Sequence, residues 1–191
     1  DDQHHQTLPE GGAVVRVHSK VLGGYPPAKD EWQQLMHRAI GRDNLWLTKA
    51  EREALVRGEL PESVLQRIAC FHLVDNTRGE PPMWKADEVK ALDVQRDGDA
   101  IVGMVSLATK DGARRYRAGL RGTVTVKDGE LVGFELVADG VFRGEGEYTR
   151  HAPPDEFPFA VWLTLADGKD VADTVPPQGA RGWLDGYLRL R

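Results

Sequence analysis

The sequence predicts an α+β fold, with a helical N-terminal part packed on a C-terminal antiparallel β-meander. Six Asp-Gly pairs, at 97–98, 111–112, 128–129, 139–140, 167–168 and 185–186, all lie in the C-terminal half. Asp closes an Asx-type turn and Gly has free access to positive φ, so each pair marks a hairpin. Apolar runs of strand length separate the pairs. The N-terminal half instead shows helical spacing and helix caps.

Taken in order, residues 1–12 are polar and end in Gly11-Gly12, a flexible terminus. Val14, Val15 and Val17 suggest a short strand before the turn-rich Gly23-Gly24-Tyr25-Pro26-Pro27. Trp32, Leu35, Met36, Ala39 and Ile40 then fall on one helical stripe. Asp30 and Glu31 suit its first turn, and Gly41 suits the residue after its end. Thr48 and Glu51 match a capping box that opens a second helix, ending near Gly58. Pro61 suits the start of a third helix running to about Val74, on which Val64, Leu65, Ile68, Phe71, His72 and Asp75 share one side. The polar connector 75–82 ends that helix with Pro81-Pro82.

Residues 13–88 therefore read as mainly helical and 89–175 as the sheet. Candidate strands lie at 89–96 and 100–109, in a hairpin over 115–138, and at 141–148 and 158–166. A three-residue loop in that hairpin sets Val124 opposite Val132, Leu120 opposite Leu136 and Arg121 opposite Glu135. Six such strands curl into a half-barrel or a closed barrel. Residues 176–191 read as a tail that docks back through Trp183, Tyr187 and Leu190. The whole of 13–191 forms a single domain.

Composition narrows the function classes. The net charge is −5, with 40% hydrophobic and 29% charged residues, an ordinary globular balance. Charge is spread evenly along the chain, so no nucleic-acid footprint is expected. No apolar run reaches the roughly 20 residues of a membrane-spanning helix. Cys70 is the only cysteine, which excludes an internal disulfide and multi-cysteine metal sites. The chain begins Asp1-Asp2, as a mature exported protein would after signal-peptide removal. A periplasmic or extracellular location is the expectation.

The block Phe71-His72-Leu73-Val74-Asp75-Asn76-Thr77-Arg78-Gly79-Glu80-Pro81-Pro82-Met83-Trp84 resembles one found in a family of exported proteins of planctomycete-type bacteria. Phe134 to Leu165 is similar to a later stretch of that family, through Val137-Ala138, Gly144-Glu145-Gly146 and Tyr148-Thr149-Arg150. The chain departs from the family pattern at His151-Ala152-Pro153-Pro154-Asp155-Glu156. The resemblance implies export and a shared fold. It implies no activity and assigns no catalytic residues.

The strongest candidate site is His72, Asp75, Arg78 and Glu80. Three residues apart on a helix, His72 and Asp75 can meet, giving an imidazole base oriented by a carboxylate, with Arg78 to clamp an anion. The competing reading is structural and is favoured: His72 satisfies a helix end and the others tie the connector down. Cys70 and His72 point about 200° apart and cannot pair. His4, His5, His18, His37, His72 and His151 show no ligand spacing, so a metal site would need long-range convergence. His37 falls off its helix stripe and reads as solvated. Gly144-Glu145-Gly146 lacks the context of a nucleotide loop. Arg115, Arg117, Arg121 and Lys127 share one strand face, which reads as solvated.

The preferred function is a non-catalytic exported binding or assembly protein, without cofactor, whose partner is a protein, a cell-surface polymer or a small ligand. An acid/base enzyme using His72 and Asp75 is the alternative, and a metal-binding protein the second.

Overall fold

The computed structural model describes residues 6–190. Strand β1 (Ala13–Val21) is followed by helix α1 (Glu31–His37), strand β2 (Gly41–Leu47), and helices α2 (Lys49–Val56) and α3 (Glu62–Arg67). The meander follows as β3 (Val89–Asp97), β4 (Ala100–Ala108), β5 (Arg115–Lys127), β6 (Glu130–Arg143) and β7 (Phe157–Leu165), and α4 (Leu184–Leu188) ends the described chain. All seven strands form one antiparallel sheet in the order β2-β1-β7-β6-β5-β4-β3. The fold is α+β, as the sequence predicts.

Residues 13–88 are not a separate helical part, because they supply two strands of that sheet. β1 is longer than its three valines suggest, pairing with β7 on one side and β2 on the other. β2 is hard to read in sequence because Asp43 and Asn44, both buried, interrupt its apolar residues. Strand alternation is otherwise regular. Phe157, Phe159, Val161 and Leu163 of β7 are fully buried, as are Tyr116 and Val124 of β5. Arg117, Arg121 and Lys127 occupy the opposite, exposed face of β5.

Helix α3 and the π-helical turn Ile68–His72 that continues it fill the concave side. The expected α-helix to Val74 thus changes pitch at Ile68, and Leu73 N–H reaches the Ile68 carbonyl at 2.9 Å. This turn packs against both edge strands, β2 and β3. Six strand spacings laid flat would separate those edges by about 29 Å. The sheet therefore curls around the helix. It does not close into a barrel, since β2 and β3 do not pair.

Asp128 and Gly129 both have positive φ (52° and 77°), forming a two-residue turn that pairs Lys127 with Glu130. A bulge then shifts the register so that Val124 faces Phe134, Leu120 faces Ala138 and Arg121 faces Val137. The loop has two residues plus a bulge, not three. Nor does Asp139-Gly140 turn the chain: β6 runs through it, giving five meander strands rather than six. A side chain at Gly140 would strike the β5 backbone at Arg117, so this glycine permits close strand approach.

The largest departure is α1. It ends at His37 with Arg38 as its cap, short of Gly41, and none of its residues is buried. Trp32 is 71% exposed, Leu35 65% and the following Ile40 61%. Of the predicted stripe, Trp32, Leu35 and Ile40 face solvent, while Met36 and Ala39 are half-buried. Strands β1 and β2 are direct neighbours, with Ser19 opposite Gly41. The segment 22–40 is thus an excursion off the end of a hairpin, tied to the body through Tyr25 while α1 itself buries no residue.

Candidate functional site

His72 and Asp75 are both buried, at 1% and 3% exposure, but they do not pair with each other. Beyond the pitch change at Ile68, they belong to different contacts. His72 Nε2 lies 2.7 Å from the Tyr187 hydroxyl, and Nδ1 lies 3.1 Å from Asp43 Oδ2, off the axis of an ideal hydrogen bond. The other Asp43 oxygen accepts the backbone N–H groups of Asn44 and Gln178, each at 2.8 Å. Asp43, His72 and Tyr187 thus form a carboxylate–imidazole–phenol chain that fastens the C-terminal segment to β2. Tyr187 is fully buried, and burial drives its hydroxyl pKa far above the ordinary value. Neither Asp43 nor Tyr187 is marked by any sequence motif.

A second buried pair continues this fastening. Arg67 donates to Glu51 at 2.6 Å, to the Trp46 carbonyl and to the Leu188 carbonyl, with its guanidinium over the Tyr187 ring. Burial alone would raise the Glu51 pKa, but Arg67, Ser63 and the Thr48 backbone bring it below the ordinary value. Asp173 accepts from Arg16 and Arg42, and those bonds likewise hold its carboxyl low against some desolvation.

Asp75 binds Thr77 and lies 2.7 Å from Arg78, whose side chain is 1% exposed. Arg78 donates to the Tyr25 hydroxyl at 2.7 Å and to the Thr149 carbonyl at 3.3 Å. Tyr25 in turn stacks on His37, with centroids 4.0 Å apart and planes within 7°. Burial raises the Tyr25 pKa, with Arg78 opposing it. His37 is accordingly half-buried rather than solvated. Glu80 is exposed and joins none of these contacts. Of the four predicted residues, only Asp75 and Arg78 come together, and they act from behind Tyr25.

Tyr25 is the inner wall of a cleft of about 360 Å³. Pro26, Pro27, Trp32, Met36 and Pro154 supply most of its apolar surface, and Lys29, Gln33, His37 and His151 its polar groups. Lys29 N–H donates to Gln33 Oε1, which holds that side chain at the rim. His151 has φ +70°, a conformation uncommon outside glycine, at the wall of the cleft. Among the described residues no carboxylate lines the cleft. It offers stacking surfaces, hydrogen-bond donors and the Lys29 ammonium group.

Cys70 is buried, and burial raises its thiol pKa, with Glu88 acting in the same direction. Arg114 stacks on Trp84, 3.8 Å from the ring centroid, and donates to the Pro82 and Met83 carbonyls. Glu156 pairs with Arg115 at 2.8 Å. Among the described residues no three His, Cys, Asp or Glu side chains converge as a metal site. His4 and His5 lie outside the described residues. Among the described residues no helix is long and apolar enough to cross a membrane.

The fold and this surface define an α+β protein with an open antiparallel sheet, a sealed polar relay and a solvent-facing aromatic cleft. Comparison with protein-family models, with curated proteins and with solved structures finds no match.

Proposed function

We propose that this protein is a non-catalytic exported binding protein, and that its ligand is a saccharide unit of a cell-surface polymer held in the aromatic cleft. One observation supports this most. The cleft's Trp32 is exposed and its Tyr25 stacks on His37 at the edge of the core, where Tyr25 is braced from inside by the buried Asp75–Arg78 pair. A buried charge pair spent on positioning a half-exposed aromatic ring points to a preorganised wall. Aromatic faces match the apolar face of a sugar ring, and Lys29, Gln33 and His151 can reach its hydroxyl or acidic groups. Export rests on the resemblance of 71–84 and 134–165 to exported proteins of planctomycete-type bacteria.

The enzyme alternative has one geometric support, the Asp43–His72–Tyr187 chain. It would run through Asp43 rather than Asp75, and the C-terminal segment that seals it would have to lift.

Isothermal titration against a panel of neutral and acidic oligosaccharides tests the binding reading. Binding that is lost in Trp32→Ala and weakened in Arg78→Lys, with folding retained, is the expected result. No heat from any saccharide, or binding untouched by Trp32→Ala, would overturn it.

A further inference from the structure

We propose that α1 is a self-association surface, its apolar stripe packing antiparallel against the same helix of a second copy of this chain. Trp32 and Met36 belong both to this stripe and to the cleft, so a second copy and a saccharide would compete for them, and the two readings are separated at Glu31, Leu35 and Arg38. The basis for self-association is a helix that is apolar along one stripe yet buries no residue in its own fold. Trp32 and Leu35 are mostly exposed, Ile40 extends the stripe, and Ile40 and Trp162 line an adjoining groove of about 370 Å³ walled by His18, Lys20 and Ala160. Exposed apolar surface of this continuity marks an interface, and Trp is enriched in interface hot spots.

Charge selects the partner. α1 is acidic at its start, with Asp30 and Glu31, and basic at its end, with His37 and Arg38. Glu31 and Arg38 are both exposed. Their neighbours three and four residues along the helix are Gln34 and Leu35, so neither has an oppositely charged partner on α1 itself. Seven residues apart, they lie within about 20° of each other around the helix, on the Leu35 side of the stripe. A twofold axis perpendicular to two antiparallel helices brings equivalent flanks together with their ends exchanged. Glu31 of one copy then meets Arg38 of the other, twice, about 10 Å apart along the helix. Helix dipoles are also opposed favourably in this arrangement. A helix with one sign of charge throughout would have pointed to an oppositely charged partner instead. This one complements itself.

Leu35, Glu31 and Arg38 do not line the aromatic cleft, so variants at these positions leave its lining intact. Sedimentation velocity across micromolar to submillimolar concentrations tests the proposal. Wild type should pass from monomer to dimer, and Glu31→Arg or Arg38→Glu alone should weaken dimerisation about tenfold or more. An equimolar mixture of the two variants should restore it as a heterodimer, because each repulsive pair becomes attractive. Leu35→Asp should be monomeric throughout with an unchanged circular dichroism spectrum. A wild type that stays monomeric would overturn the proposal and give the stripe to a different partner. A dimer indifferent to both charge reversals, or two variants that fail to rescue each other, would overturn it equally.

Discussion

Two helical stripes in this chain are written with the same grammar and meet opposite fates. Val64, Leu65, Ile68 and Phe71 of α3 and its π turn are buried inside the curled sheet, whereas Trp32 and Leu35 of α1 face solvent. Periodicity reports that a helix is amphipathic, not what covers it. The surroundings decide. α3 leads from β2 to the connector before β3, the two edges of the sheet, so it must cross the concave side. α1 lies in the connection between neighbouring strands, so the chain never crosses the core while forming it.

Substitutions can break or sharpen this contrast. The largest loss is expected for Arg67→Met, which strands the buried Glu51 carboxylate and should cost about 3–5 kcal/mol in urea unfolding. Ile68→Ala, at 1% exposure, should cost about 2–5 kcal/mol through lost burial and a cavity. Tyr187→Phe leaves a buried ring nitrogen of His72 without its 2.7 Å partner and should cost about 1–3 kcal/mol. Leu35→Ala and Trp32→Ala should each fall within about 0.5 kcal/mol of wild type. A Leu35→Ala loss comparable to that of Ile68→Ala would erase the distinction between the stripes.

Acid provides a further check on the fastening of the C-terminal segment. Glu51 and Asp173 hold folded pKa values below their unfolded values of 4.5 and 3.8. The unfolded chain therefore binds protons first as pH falls. Their contribution is complete above about pH 5 and is lost progressively as pH drops through the unfolded and then the folded values. Asp173→Asn should flatten part of that acid dependence in a series of urea midpoints. An unchanged acid slope would contradict the role given to the Arg16–Asp173–Arg42 cluster.

Sequence legibility follows the same division between local and non-local causes. The Thr48–Glu51 capping box forms as read, because its two hydrogen bonds join residues three apart. The exposed basic face of β5 also follows from simple alternation. β2 was not legible, because burial of Asp43 depends on His72 and Gln178, far away in sequence. The hairpin register turned on one bulge between Thr125 and Val126 that no residue type announces. Within the predicted site, Asp75 and Arg78 do meet, but His72 takes Asp43 instead, since the helix changes pitch before reaching Asp75. Tyr25 was visible only as part of a turn, and its role comes from Arg78 across 53 positions of sequence.

Hydroxyl-radical footprinting read by mass spectrometry, run at low and high chain concentration, tests the central contrast most directly. Trp32, Leu35 and Met36 should label rapidly at low concentration and become protected as concentration rises, while Ile68, Phe71 and Tyr187 stay protected throughout. Protection of Trp32 and Leu35 at every dilution would place α1 against the protein's own core and contradict the account.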